Sequence, residues 1–111
     1  MDIQIEHRTA DPWDVLDVGG EVDLSTAPTL RARLEQLIDG GTRRLVVNLE
    51  PVTFMDSSGL SVLVSAFKAM READGRIAVV CTNPAISKIF TITGLDRVLA
   101  IHPSVDEALS A

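Results

Sequence analysis

The sequence predicts one α/β domain over residues 1–111, in which a mixed sheet of four to five strands packs against about four helices. Two short segments of alternating apolar and polar residues open the chain, and this pattern indicates a pair of antiparallel strands. Apolar segments of strand length then alternate with amphipathic segments of helical length, which is typical of βα crossovers between parallel strands. With 46% hydrophobic and 23% charged residues, the 111-residue chain can bury a single continuous core.

The first two strands are predicted around Ile3 and Ile5 and around Trp13 and Val15, where apolar residues alternate with polar ones. Residues 10–12, Ala-Asp-Pro, supply the turn between them. Because a short turn joins neighbouring antiparallel strands, we expect a hairpin at the start of the sheet.

The first helix is predicted to begin at Ser25 or Thr26, because both residue types cap helices and Pro28 suits a first turn. Gly40-Gly41 ends it. Its apolar face consists of Ala27, Leu30, Leu34, Leu37 and Ile38. The next segment, residues 45–49, is apolar enough for a central strand that helices cover on at least one face.

The second helix is predicted to open at residues 56–58, Asp-Ser-Ser, and to close at Gly75. Its predicted core positions are Leu60, Leu63, Val64, Phe67 and Met70. Its small residues Ala66, Ala69 and Ala73 form a flank where another backbone could approach.

The last third of the chain continues the alternation of strands and helices. Residues 77–81 form a strand, and a third helix begins at Pro84 and stops at Gly94. A short strand at residues 98–101 and a brief helix at residues 105–109 complete the domain.

Charge and cysteine content exclude several classes of protein. The net charge of −6 and the pI near 4.7 argue against nucleic-acid binding, which requires basic surfaces, and against adhesion to anionic membranes. Cys81 is the only cysteine, so no intramolecular disulfide and no cysteine metal cluster can form. Because the N-terminal residues lack a signal-peptide pattern and the apolar runs are too short to span a bilayer, we expect a cytoplasmic protein without metal or cofactor.

Residues 54–59, Phe-Met-Asp-Ser-Ser-Gly, concentrate the modifiable groups of this chain. A serine hydroxyl at a helix N-terminus is a favourable place for a phosphate, since free backbone N–H groups and the positive end of the helix dipole attract negative charge. The alternative interpretation of Asp56, Ser57 and Ser58 is a helix cap alone. A cap, however, needs only one such residue.

The neighbours of the serines favour a binding surface. Phe54 and Met55 are large apolar residues in a predicted loop, so they are either buried or part of a docking surface. Gly59 lacks a side chain in the first helical turn, which would let another molecule come close.

Glu21 and Asp23 form a second acidic site, in the loop before the first helix. Paired carboxylates can act as acid and base or bind a metal ion. The alternative is a solvated turn in which Asp23 accepts hydrogen bonds from nearby backbone N–H groups. If the sheet places this loop beside Asp56, the charge of a phosphate, about −1.5 to −2, would change the local field sharply.

The sequence disfavours a nucleophilic serine, and we expect a protein that is not an enzyme. The segment around Ser57 does not match the Gly-x-Ser-x-Gly elbow of hydrolases. A triad also needs a histidine base oriented by a carboxylate, and the two histidines, His7 and His102, have the positions of surface or strand-end residues.

Several segments, taken together, carry a resemblance to a known family. They are Gly20-Glu21-Val22-Asp23, Val47-Asn48-Leu49, Phe54-Met55-Asp56-Ser57-Ser58-Gly59-Leu60, Pro84-Ala85, Ile89-Phe90 and Thr93-Gly94-Leu95. In these segments the chain resembles the STAS family, and within it the single-domain anti-sigma factor antagonists of bacteria. The likeness runs over nearly the whole chain.

The resemblance implies a switch between partners. The unphosphorylated antagonist binds an anti-sigma factor that is also an ATP-dependent serine kinase, and this binding releases the sigma factor. The kinase then phosphorylates and expels the antagonist, and a serine phosphatase of the metal-dependent class restores it. The acceptor is the residue after the motif aspartate, here Ser57, with Ser58 as the second candidate.

The resemblance also implies which residues meet the partner. Asp23 and Asp56 flank the acceptor, and the kinase contacts the first turn of the second helix and the nearby loops. The expected partner-binding residues are Asp23, Phe54, Met55, Asp56, Ser57, Ser58 and Gly59. An alternative within the same family is a STAS subunit of a transport or signalling assembly that does not switch.

Overall fold

The computed structural model describes residues 2–111, and these residues form six strands and four α-helices. The strands are β1 (Ile3–Ala10), β2 (Trp13–Val22), β3 (Arg44–Asn48), β4 (Val52–Met55), β5 (Arg76–Val80) and β6 (Ala100–His102). The helices are α1 (Ala27–Asp39), α2 (Ser57–Glu72), α3 (Pro84–Thr93) and α4 (Val105–Ser110), and a 3₁₀ turn at Leu95–Arg97 follows α3. The predicted order is confirmed, with one additional strand, β4.

A single mixed sheet contains all six strands, as the α/β prediction requires. Its order is β1-β2-β3-β5-β6, and β4 pairs with β2. β1 and β2 form the predicted antiparallel hairpin, whereas the other pairs are parallel. Because β2 is ten residues long, residues 14–17 pair with β3 and residues 20–22 pair with β4.

β4 is the strand that the sequence pattern does not predict, and it raises the count from the expected four or five to six. Thr53 and Phe54 are both exposed, so these four residues lack the alternation that marks a half-buried strand. The strand forms because β2 continues beyond β3 and offers its last backbone groups for pairing.

Helices cover the sheet on both faces. The larger core cluster joins one face of the sheet to α1, α2 and α3, with Leu30, Leu63 and Phe90 among its most buried side chains. On the other face, α4 packs through Ala108 against a smaller cluster that includes Trp13. Among residues 2–111, no helix is both long and apolar enough to cross a membrane.

The buried face of α2 is rotated by about one residue from the predicted face. The buried residues of this helix are Gly59, Val62, Leu63, Ala66 and Met70. Leu60, Val64 and Phe67, which were expected in the core, are only partly buried. The rotation arises because α2 packs against α1 as well as on the sheet, and the small residues Ala66 and Ala69 line the groove between the two helices. The predicted small-residue flank therefore faces the protein's own first helix.

Candidate functional site

The loops that carry the predicted site lie side by side at the carboxyl edge of the sheet. Val22, the last residue of β2, pairs with Met55, the last residue of β4. The backbone N–H of Asp56 donates to the carbonyl of Val22 at 3.2 Å. Asp23 and Asp56 therefore follow adjacent parallel strands at the same level. The sheet thus places the loop of Asp23 beside Asp56 and the serines.

Asp56 caps α2, and it does so alone. Its backbone is extended, and its Oδ1 accepts a hydrogen bond from the N–H of Ser58 at 2.8 Å. Ser57 is the first residue of the helix, and it is exposed. A cap thus accounts for Asp56 but leaves the Ser57 hydroxyl at the surface, where the helix dipole favours negative charge.

The surface beside Ser57 has room for another molecule. A shallow depression of about 370 Å³ runs along the outer side of α2. Its lining consists of Ser57, Leu60, Ser61, Val64 and Ser65. Three of these residues are exposed serines spaced one helical turn apart, so the row that begins at Ser57 consists of small side chains.

The loop after β2 is held by a network of hydrogen bonds around Asp23. Its Oδ1 accepts from the Ser25 hydroxyl at 2.6 Å, from the Ser25 N–H at 2.9 Å and from the Thr26 N–H at 3.1 Å. The Thr26 hydroxyl accepts from the Asp23 N–H at 2.9 Å and donates to the carbonyl of Glu21 at 2.8 Å. Thr26 is the N-cap residue of α1 by position. Its hydroxyl bonds to the preceding segment and does not cap an N–H of the helix.

These bonds have an electrostatic consequence. The hydrogen bond from the Ser25 hydroxyl, together with those from the backbone N–H groups of Thr26 and Ser25, lowers the pKa of Asp23 below its usual value. The carboxylate therefore stays charged at neutral pH, at the edge of the sheet that carries Asp56. This arrangement matches the turn that the sequence analysis offered as the alternative to an acid–base or metal-binding pair. Within residues 2–111, no cluster of three or more His, Cys, Asp or Glu side chains is arranged to hold a metal ion.

Two exposed apolar side chains lie close in sequence to Asp23 and Asp56. Phe54 is 46% exposed on β4, on the opposite side of the strand from the buried Met55. Leu24 is 79% exposed in the loop directly after Asp23. Sequence reasoning missed Leu24, because one leucine in a polar loop carries no periodic signal. The only signal in the sequence is that a leucine directly follows Asp23 in a predicted loop.

Two of the expected partner-binding residues face the protein's own core, which corrects the prediction for them. Met55 is only 4% exposed. Gly59 is buried, and a Cβ atom at this position would lie 2.7 Å from Val22 Cγ1 and 2.9 Å from Met55 Cγ. Glycine is therefore needed so that the first turn of α2 can approach β2 and β4, not so that another molecule can approach.

The histidines lie outside these two loops. His7 is on β1, where its Nε2 lies 2.8 Å from Oδ1 of Asp14. His102 is on β6, at the far edge of the sheet. Neither residue supplies a base on the loops that carry Ser57.

Comparison with known proteins identifies the family of this domain. The model of the STAS domain family matches residues 3–108. The chain belongs to the STAS family. The resemblance found in the sequence is thereby confirmed, and it extends over nearly the whole chain.

Proteins similar to this STAS domain include anti-sigma factor antagonists. The anti-sigma-B factor antagonist of Staphylococcus aureus is 35% identical over 106 residues, which cover 96% of this chain and 98% of that protein. The crystal structure of an anti-sigma factor antagonist from Mycobacterium paratuberculosis is 30% identical and superposes with a TM-score of 0.92, covering 98% of this chain and 92% of that one. The Bacillus cell fate determinant SpoIIAA in its phosphorylated form shares the fold, with a TM-score of 0.75, 24% identity and coverage of 98% and 97%.

Proposed function

We propose that this STAS domain is an anti-sigma factor antagonist whose affinity for its partner is set by phosphate on Ser57. The unphosphorylated protein binds an anti-sigma factor that is also a serine kinase, and the sigma factor is released. The kinase then phosphorylates Ser57, and a serine phosphatase of the metal-dependent class reverses the modification. Such a protein acts by binding rather than by catalysis, and its role requires it to be in the cytoplasm with the transcription machinery.

One observation supports this role above the others: Ser57 is exposed as the first residue of α2, while Asp56 provides the cap. Ser58 is the weaker candidate for the acceptor. Its side chain is partly buried, and its N–H is engaged by the Asp56 carboxylate at 2.8 Å. The names of the relatives in Staphylococcus and Mycobacterium support the same class of function.

The charges around Ser57 explain how a phosphate would switch binding. A phosphoserine adds about −1.5 to −2 charges and sits next to the Asp56 carboxylate, with Asp23 on the neighbouring loop. The N–H groups of the first turn of α2 favour a phosphate there, so the fold tolerates the modification. A partner that fits the unmodified acidic surface would then meet excess negative charge and added bulk, and it would dissociate without any refolding of the domain.

The proposed partner surface combines polar groups with exposed apolar side chains. Asp23, Asp56 and Ser57 supply the polar part, with Ser58 partly exposed beside them. Leu24 and Phe54 supply the apolar part, and exposed apolar groups next to fixed charges are typical of docking surfaces. Met55 and Gly59 support this surface from behind, because their burial fixes the position of α2 on the sheet.

Phosphate mapping tests the acceptor directly. The protein is incubated with its anti-sigma kinase and ATP, and the modified residue is located by mass spectrometry. We expect phosphate on Ser57 in the wild type and in Ser58→Ala, and no phosphate in Ser57→Ala. Modification of another residue while Ser57 stays unmodified would remove the assignment. Isolation of the protein with transporter components instead of a kinase would favour the alternative of a STAS subunit that does not switch.

A further inference from the structure

We propose that a second site, at the end of the sheet opposite Ser57, binds a small molecule with an apolar body and an oxyanion head group. The site is a cavity of about 530 Å³, which is within the range of about 300 to 1,000 Å³ typical of ligand sites. It lies at the C-terminal end of α2, whereas Ser57 is at the N-terminal end. The rise of an α-helix puts Arg71 about 20 Å from Ser57, so the two sites are separate.

The cavity exists because the edge of the sheet is incomplete. β6 begins at Ala100, which pairs with Ala78, the third residue of β5. Arg76 and Ile77 therefore have a neighbouring strand on the β3 side only. The gap is walled by partly buried or exposed apolar residues, among them Phe67 on α2 and Val98 after the 3₁₀ turn. Val98 is 55% exposed, so the apolar wall is open to an incoming molecule.

Two arginines of this cavity can bind an anion. Arg71 and Arg76 both line it, together with Asp74, His102 and Ala111. Neither guanidinium forms a salt bridge among residues 2–111, where the ion pairs are His7–Asp14 and Arg8–Asp17. Guanidinium groups bind carboxylates and phosphates through paired hydrogen bonds, which gives such a head group a defined position.

A third arginine, Arg44, lies next to Arg76 outside the cavity lining. Arg44 and Arg76 pair directly across the parallel strands β3 and β5, so two exposed like charges occupy neighbouring positions. Like charges in direct cross-strand positions are unfavourable, and a bound anion would relieve the repulsion. The concentration of positive charge stands out in a protein whose net charge is −6.

Trp13 makes the site measurable. It is the only tryptophan of the chain, and its side chain forms part of the cavity wall. Intrinsic fluorescence therefore comes from a single residue of the cavity wall. The probes are octanoate and octyl phosphate, which differ in head group, and octanol, which has the same tail without charge. Calorimetric titration of the same probes detects binding that leaves the fluorescence unchanged.

We expect saturable binding of at least one anion, with octanol at least about tenfold weaker, because a charge-assisted hydrogen bond is lost. Arg71→Gln and Arg76→Gln should each weaken the anion by about tenfold, whereas Arg31→Gln, an exposed arginine on α1, should not. Circular dichroism checks that each variant is folded.

The outcome also identifies the head group. If only octanoate binds, the head group is a carboxylate, and if only octyl phosphate binds, it is a phosphate. The site is disproved if neither anion gives heat or a fluorescence change at millimolar concentration, if octanol binds equally well, or if Arg31→Gln causes the same loss.

Discussion

Val22 and Met55 are paired at the ends of the parallel strands β2 and β4, and the N–H of Asp56 donates to the carbonyl of Val22. This pairing sets the height at which α2 begins above the sheet. It also brings the loop of Asp23 next to the cap of α2. The position of the Ser57 hydroxyl thus depends on a four-residue strand and on the packing behind it.

The Asp56 cap should contribute measurably to stability. Asp56→Ala removes the acceptor for the Ser58 N–H and should lower the free energy of unfolding by about 0.5–2 kcal/mol. Asp56→Asn keeps an acceptor and should lose much less, because asparagine is an equally good N-cap residue. Urea unfolding of both variants gives the comparison. Equal losses in the two variants would mean that the carboxylate charge, not the cap, stabilises α2.

Gly59→Ala should destabilise the protein although alanine is the better helix former. The added Cβ would lie 2.7 Å from Val22 Cγ1, and overpacking of this kind costs about 1–3 kcal/mol. The gain in helix propensity, at most about 1 kcal/mol, does not offset it. Ser61→Ala, at an exposed position of the same helix, is the matched control and should be neutral or slightly stabilising. A thermal shift of Gly59→Ala that equals the control would show that the contact relaxes without cost.

Stability should depend on the protonation of Asp17. Burial disfavours the charged carboxylate, but hydrogen bonds from Arg8 at 2.7 Å and Asn48 at 2.8 Å outweigh burial and hold the pKa of Asp17 below its usual value. The charged carboxylate is thus favoured in the folded state. Its contribution is complete above the unfolded-state pKa of about 3.9 and is lost as the pH falls through the lower folded-state value.

Urea unfolding of Asp17→Asn from neutral to acidic pH tests this dependence. The variant should be less stable than the wild type at neutral pH, and the difference should shrink as the solution is acidified. Asp96→Asn, at an exposed position, serves as the control and should follow the wild type. If the difference in stability between Asp17→Asn and the wild type stayed constant at every pH, the charge of Asp17 would not be the source of its contribution.

Leu24 should anchor the partner. Leu24→Ala should weaken binding of the anti-sigma factor by more than about 1 kcal/mol if the side chain is a hot spot, while unfolding stays unchanged because the residue is 79% exposed. Ile92→Ala is the matched control, since Ile92 is 72% exposed but lies on α3, outside the two site loops. Calorimetric titration of both variants measures the effect. Equal affinity of the two would exclude Leu24 from the interface.

Much of this fold follows from the apolar pattern of the sequence, because β1 alternates apolar and polar residues, β3 and β5 are short continuous apolar runs, and α1 has apolar residues at helical spacing. β4 does not follow from this pattern, since Thr53 and Phe54 are both exposed and the strand forms only through the length of β2. The candidate site was predicted from local chemistry, because Asp56 and Ser57 stand where a helix begins. The sequence did not show that Gly59 faces the core, because this depends on contact with Val22, a residue distant in sequence. The cavity beside Arg76 escaped prediction for the same reason, since its walls come from several elements.

The most direct test of the switch is the affinity of the purified anti-sigma kinase for this protein before and after phosphorylation of Ser57, with Ser57→Ala and Ser57→Glu alongside. The unmodified protein and Ser57→Ala should bind with similar affinity. The phosphorylated protein and Ser57→Glu should bind at least about tenfold more weakly, because like charges brought together at an interface cost several kcal/mol. Equal affinity of the phosphorylated and unphosphorylated proteins would contradict the proposed switch.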